Sequence, residues 1–262
     1  MRATVSVPVA DMWKKPKRNS ERVSQVRLGE SLVVERIEDR FAWVRSEDGY
    51  HGWIERSSVK TSKRKYAGRG KVTVVEGLFE PISTDHQRLD MLMVAPMGST
   101  LEVVGKKDNW TRVRLPDGRS GFMRLGELRP AHGPFPKRDI AHIVGVALRL
   151  VGTPYLWGGT TPWGLDCSGL AQLAYKMGGY QLLRDADLQF ESNGRLVSES
   201  DMRRGDLLFF RGESDDRVSH VAICLDKDMV VHASGSKRVV MVESLPNVGA
   251  HLVGVKRVVP SE

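Results

Sequence analysis

The sequence predicts two small all-β modules followed by an α+β domain in which helices come first and an antiparallel sheet afterwards. Three observations predict it. The first 130 residues carry an internal repeat, a proline-rich break follows, and beyond it helical periodicity gives way to short apolar runs of strand length.

The repeat is found by shifting the first 60 residues by 69 positions. Val5 falls on Val74, Gly29 on Gly98, Leu32 on Leu101 and Val34 on Val103. Phe41 meets Trp110, Val44-Arg45 meet Val113-Arg114, and Asp48-Gly49 meet Asp117-Gly118. Gly52, Trp53 and Val59 then fall on Gly121, Phe122 and Leu128. One offset without a gap makes these two copies of one unit, read as residues 1–60 and 72–129. Each copy reads as β, because short alternating runs such as Ser31–Arg36, Phe41–Arg45 and Gly52–Ile54 are separated by turn residues. Asp-Gly in each copy suits a tight hairpin that needs positive φ. Trp43, Trp53, Trp110 and Phe122 are expected in the cores. Residues 61–71 form a basic linker with Lys63, Arg64, Lys65 and Arg69, and residues 130–138 a semi-rigid connector rich in proline.

The third domain spans 139–262. Asp139 is a plausible N-cap for a helix through Ile140, Ile143, Val144, Ala147, Leu148 and Val151, ending at Gly152. A second helix runs from Leu170 to Met177 and closes at Gly178-Gly179, with helical periodicity setting in from Cys167. Asp206–Phe210, Val218–Leu225, Met229–His232 and Leu252–Val259 read as strands.

Composition narrows the function classes. Of 262 residues, 40% are apolar and 27% charged, which excludes a disordered chain. No apolar run approaches the ~18 residues of a membrane span. Net charge is +8, yet Lys and Arg are mostly interleaved with Asp and Glu, and no nucleic-acid recognition pattern accompanies them. The start, MRATVSVPVADMWKK, lacks the continuous apolar run of a secretory leader. A cytoplasmic location is therefore expected, with the cell wall or exterior as the alternative if a leader has been removed. Two cysteines exclude a disulfide scaffold or a four-cysteine zinc module.

Those two cysteines differ. Cys224, inside Ala222-Ile223-Cys224-Leu225, reads as a small buried hydrophobe. Cys167 opens a helix, where unsatisfied N–H groups favour a thiolate and supply donors for an oxyanion. His220 and His232 lie on consecutive predicted strands, and paired strands can turn both imidazoles to one face. Zinc is the competing use of a Cys/His set, but no close pair has metal-ligand spacing and the other histidines are scattered. No cofactor is expected.

Residues 139–259 resemble the NlpC/P60 cysteine peptidases. The resemblance rests on Tyr155-Leu156-Trp157-Gly158-Gly159, Asp166-Cys167-Ser168-Gly169, Arg204-Gly205-Asp206-Leu207, Ser219-His220-Val221 and Val231-His232-Ala233-Ser234. It implies a papain-like α+β fold and hydrolysis of cell-wall peptides. Cys167 would be the nucleophile, His220 the base and then acid, and His232 the group that fixes the His220 tautomer. The repeat, with G-x-x-L-x-V, an aromatic near Val-Arg and D-G-x-x-G-[WF], resembles bacterial SH3 (SH3b) barrels.

Two SH3b modules ahead of such a peptidase resemble the γ-D-glutamyl-L-diamino acid endopeptidases of the dipeptidyl-peptidase VI type. That likeness implies murein tri- or tetrapeptides with a free L-Ala as substrates, L-Ala-D-Glu as product and wall-peptide recycling as the role. A secreted hydrolase docking the cell-wall polymer is the alternative. Relatives line the pocket where Tyr155, Trp157, Ser168, Arg184, Asp185 and Ser219 stand here. Asp166 is the expected ammonium partner, with N-capping as a compatible role, and Arg184 a carboxylate clamp. Packing aromatics at Tyr155 and Trp157, and an exposed Arg184–Asp185 pair, are the bland readings. Ala186 departs from the pattern, since many relatives carry Ser after Arg-Asp. From the first module Tyr50 is the expected cleft aromatic, with a barrel-surface tyrosine as the alternative; Asp11 and Glu30 are candidate carboxylates for sharing the amine, with a role outside the site as the plainer reading.

Overall fold

The computed structural model describes residues 1–62, 66, 71–85, 90–124, 128–130 (backbone only), 137–212 and 217–259. The chain divides into two compact units, Met1–Gly133 and Pro134–Glu262. Most of the basic linker and of the proline-rich connector lies outside the described residues.

The first unit is all β. Its first sheet is built from β1 (Arg2–Val5), β2 (Val9–Trp13), β3 (Arg22–Arg27), β4 (Ser31–Glu38), β5 (Phe41–Arg45), β6 (His51–Glu55) and β7 (Val59–Thr61). Its second has β8 (Lys71–Val74), β9 (Phe79–Ser83), β10 (Met91–Pro96), β11 (Thr100–Lys107), β12 (Trp110–Arg114), β13 (Ser120–Arg124) and β14 (Leu128–Pro130). The strand orders are β3-β2-β6-β5-β4-β1-β7 and β10-β9-β13-β12-β11-β8-β14, position for position the same. Strands β7, β8 and β14 reach Thr61, Lys71 and Pro130, so sheet structure enters the predicted connecting stretches at both ends. Gly49 (φ +84°) and Gly118 (φ +94°) turn the two Asp-Gly hairpins, in the left-handed region that favours glycine.

Alternation decides the cores. In the first module Val5, Met12, Val34, Val44 and Ile54 point inward. Trp53 is also buried, but Trp43, Trp110 and Phe122 are only half-buried, contrary to expectation. Each of the three sits one residue out of phase with a buried neighbour: Ala42 and Val44 flank Trp43, Thr111 follows Trp110, and Met123 follows Phe122. Trp43 packs on the ring of Trp53 instead, with centroids 5.4 Å apart. Leu28, in the turn between β3 and β4, is fully buried in the core of the second module beside Val75, Ile82 and Leu101. Its carbonyl accepts the Thr100 amide at 3.0 Å. A Cβ on the neighbouring Gly29 would stand 1.6 Å from the Thr100 oxygen, so only glycine permits the approach.

The second unit has α1 (Ile140–Arg149), the hairpin β15 (Thr160–Thr161) and β16 (Gly164–Leu165), α2 (Cys167–Met177) and α3 (Ala186–Ser192). These precede β17 (Arg195–Val197), β18 (Leu207–Arg211), β19 (His220–Cys224), β20 (Met229–Ser234), β21 (Val239–Ser244) and β22 (His251–Arg257). The sheet is antiparallel in the order β17-β22-β18-β19-β20-β21. Asp139 caps α1 by accepting the His142 amide at 2.9 Å. α2, buried over most of its length, packs on α1, β19 and β20. The Arg204-Gly205-Asp206-Leu207 segment is a fastening. Asp206 takes Nε and Nη2 of buried Arg257 at 2.8 and 2.7 Å, and its backbone and that of Gly205 bond Cys224.

Candidate active site

Asp166 starts the site. Its side chain N-caps α2 by accepting the Gly169 amide at 2.7 Å, and it also accepts the Gly158 amide at 2.9 Å. That pulls the Tyr155–Gly159 segment onto the helix start. The close approach requires glycine: a Cβ on Gly169 would lie 2.1 Å from the Gly159 oxygen. Cys167 therefore occupies the first position of a buried helix, with its own residue 8% exposed.

The thiol meets the sheet where the sheet opens. β20 pairs with β19 only at Ile223 and Cys224, so the N-terminal end of β19 keeps a free edge on that side. Cys167 Sγ lies 4.0 Å from the Ser219 carbonyl oxygen. The backbone N–H groups of Val221 and Ser168 donate to the sulfur. The sulfur thus touches the peptide groups on both sides of His220. The His220 ring leans on Phe210, and its Nε2 lies 2.8 Å from Nδ1 of His232 with the rings crossed at 81°. His232, buried on β20, places Nε2 3.0 Å from Oε2 of Glu243 on β21. Glu243 is in turn bonded to Lys237.

Electrostatics set the resting protonation. Burial, then the Asp166 charge, pushes the Cys167 thiol up to about 12, against the pull of the Val221 and Ser168 amides and Arg184. Burial, then His232, pushes His220 down to about 3 against Glu243. His232 is lowered as well, again by burial and against the Glu243 hydrogen bond. Burial raises Glu243, but hydrogen bonds from Lys237 and His232 outweigh it and the carboxyl ends lower than usual. The free chain therefore holds a neutral thiol and a neutral imidazole. Desolvation overrides the helix-start field on which the sequence argument for a resting thiolate was built.

Two expected substrate contacts are corrected. Asp166 offers no open carboxylate for an ammonium: Arg184 Nη1 and Nη2 sit 3.1 and 2.5 Å from its oxygens, beside the two amide donors. Arg184 is not a substrate clamp on the surface either, being 2% exposed and bonded also to Ser168 Oγ at 2.8 Å. The three side chains form a closed buried cluster under the helix start. Gln189 of α3, fully buried, adds a bond from Nε2 to the Ser168 carbonyl at 3.2 Å.

The remaining expected residues vary in exposure. Tyr155 is half-buried, and burial first, then the nearness of Cys167 and Asp166, raises its phenol. Trp157 is 62% exposed, Ser219 exposed and Asp185 half-buried at the N-cap of α3. In the first unit Tyr50 packs against the core of its own module. Asp11 accepts from Arg22 and Gln25 at 2.6 and 2.9 Å. Glu30 is buried against the Arg27 amide and guanidinium at 2.7 to 3.0 Å. Both of those carboxylates are bonded within their own module, which argues against either as an open amine partner.

Glu243 was missed by the sequence reading. β21 itself was not read as a strand, although Val239-Val240-Met241-Val242 is β-rich. With His232 opposite Met241 in the register, Glu243 falls on the same face, one step along. Among the described residues no group of three or more His, Cys, Asp or Glu is arranged to hold a metal ion, and no helix is long and apolar enough to cross a membrane.

Residues 152–257 match the NlpC/P60 family, and residues 12–59 match the bacterial dipeptidyl-peptidase SH3 domain. The SH3 match covers the first β-module alone. The chain is 28% identical over 256 residues to dipeptidyl-peptidase 6 of Lysinibacillus sphaericus, covering 94% of this chain and 92% of the relative. It is 25% identical over 260 residues to a γ-D-glutamyl-L-lysine dipeptidyl-peptidase of Bacillus cereus, covering 90% and 75%. A crystal structure of an NlpC/P60 family protein from Bacillus cereus superposes with a TM-score of 0.89 over 99% of this chain and 100% of that one. At 20% identity this last likeness concerns the fold. Residues 152–257 thus resemble the NlpC/P60 family and follow an SH3-like all-β region.

Proposed function

We propose that the chain is a cysteine peptidase that cleaves the γ-D-glutamyl bond to a diamino acid in murein peptides bearing a free N-terminal L-Ala. The product is L-Ala-D-Glu, and the setting is cell-wall peptide recycling in the cytoplasm. The observation that carries the reading is the contact of Cys167 Sγ with the peptide groups flanking His220, whose ring is bonded to His232. The names of the relatives supply the bond type. The shared strand order supports a second SH3b module over residues 72–129.

In this reading His220 removes the thiol proton as Sγ attacks the γ-glutamyl carbonyl, because neither group is charged at rest. A C–S bond forms, and amide N–H groups at the start of α2 hold the oxyanion. The developing thiolate keeps the Val221 and Ser168 amides that already point at the sulfur. His220 then gives its proton to the leaving amine as the C–N bond breaks. Water, deprotonated by His220, cleaves the thioester and restores the thiol. The Asp166–Arg184–Ser168 cluster holds the helix start in place beneath this chemistry. Asp185, Tyr155 and Trp157 are the residues assigned to the peptide.

The deciding experiment is mass-spectrometric analysis of paired digests of L-Ala-γ-D-Glu-diamino acid peptides, free and N-acetylated. Release of L-Ala-D-Glu from the free peptide alone, abolished in Cys167→Ala, is the expected result. Undiminished turnover in the variant refutes the role of Cys167, and release from the acetylated peptide or from intact sacculi favours the wall-hydrolase alternative.

A further inference from the structure

The catalytic histidines end on a carboxylate that the sequence motifs do not include. Glu243 is 7% exposed, and its two oxygens are divided between His232 Nε2, at 3.0 Å, and Lys237 Nζ. An ionised carboxylate only accepts hydrogen bonds. His232 Nε2 must therefore carry a proton, and in the neutral ring Nδ1 is then bare. His220 Nε2, 2.8 Å from that bare nitrogen, must donate to it. The lone pair left on His220 is the one on Nδ1.

We propose that Glu243, held anionic by Lys237, is a positioning residue that sets the tautomers of both histidines in series and so leaves His220 Nδ1 as the atom that takes the Cys167 proton. The proposal rests on the peptidase reading for its catalytic consequence but not for its tautomers. When the proton moves from Sγ to Nδ1, the new imidazolium donates through Nε2 to His232, and the Glu243 charge lies behind it. No second proton has to move. Without Glu243, His232 is free to turn its proton toward His220. The His220 ring would then have to present bare Nε2 and protonated Nδ1, which blocks the base.

The test is imidazole 15N NMR of the full chain at neutral pH, paired with kinetics. In the unaltered protein both rings are expected to show protonated Nε2 and bare Nδ1. In Glu243→Leu, His220 is expected to gain Nδ1–H population, while kcat falls roughly 10- to 100-fold and KM stays within about twofold. Glu243→Gln, which keeps an acceptor oxygen, is expected to recover part of both. A protonated Nδ1 on His220 in the unaltered protein overturns the proposal, even if the Leu variant does not fold. So does an unchanged tautomer ratio in a folded Leu variant. Absence of turnover on every murein peptide would count against the peptidase reading while leaving the spectral result to stand by itself.

Discussion

Arg184 grips Asp166 with both terminal nitrogens, 3.1 and 2.5 Å from the two carboxylate oxygens, and both side chains are buried. The pair lies directly under the first turn of α2, so its geometry reaches the sulfur through one peptide. Truncating Arg184 leaves a buried anion without its charge partner. Arg184→Ala is expected to cost about 3–5 kcal/mol in urea unfolding. Arg184→Lys keeps the charge but not the two-pronged fit, so it should fold more stably than the Ala variant while still losing activity. Equal stability of Ala variant and parent would show that the cluster holds nothing in place.

Activity should be insensitive to pH over a wide range. With Cys167 raised to about 12 and His220 lowered to about 3, the neutral pair persists between those limits. The expected kcat/KM is flat from about pH 5 to about pH 9. Alkylation of Cys167 by iodoacetamide should be slow at pH 6 and rise with pH. Rapid labelling at pH 6 would instead reveal a resting thiolate paired with a charged His220.

Stability should fall on the acid side. His220 and His232 both have folded pKa values below the ordinary 6.5. Below pH 6.5 the unfolded chain binds protons that the folded chain refuses, so their contribution is whole above 6.5 and shrinks as pH drops toward the folded values. Each histidine weakens the fold by up to about 1.4 kcal/mol per pH unit in that window. Glu243, also lowered, acts in the same direction further down. Urea midpoints at pH 7.5, 5.5 and 4.5 measure this, and His232→Asn should flatten the trend.

Leu28 is the test of how the first unit holds together. Because its side chain fills the neighbouring module, Leu28→Ala is expected to cost about 2–5 kcal/mol. The loss should appear in the melting of both β-modules, followed by tryptophan emission from Trp110 in one and Trp53 in the other. Destabilisation confined to residues 1–61 would contradict the shared core.

Much of this was legible in the sequence because local chemistry fixed it. The Asp-Gly hairpins follow from positive φ, the start of α1 from Asp139, and the start of α2 from Asp166. The two histidines on neighbouring strands do meet. What stayed hidden depends on side chains that meet only after folding. Arg184 is 18 residues from Asp166, and nothing in Leu182-Leu183-Arg184-Asp185 says that the guanidinium turns inward. Glu243 sits at the end of a valine-rich run, where a terminal charge ordinarily faces water; only the β20–β21 register turns it toward His232. The burial of Cys167, which pushes its thiol up, stayed hidden for a related reason. Helix polarity can be read from a motif, whereas the depth of burial cannot.

The insertion of Leu28 makes the two β-modules unequal partners. They are not interchangeable cassettes, since one lends a side chain to the other's interior. Excising the leading copy, or grafting it alone onto another protein, would strip the trailing copy of a wall it did not encode.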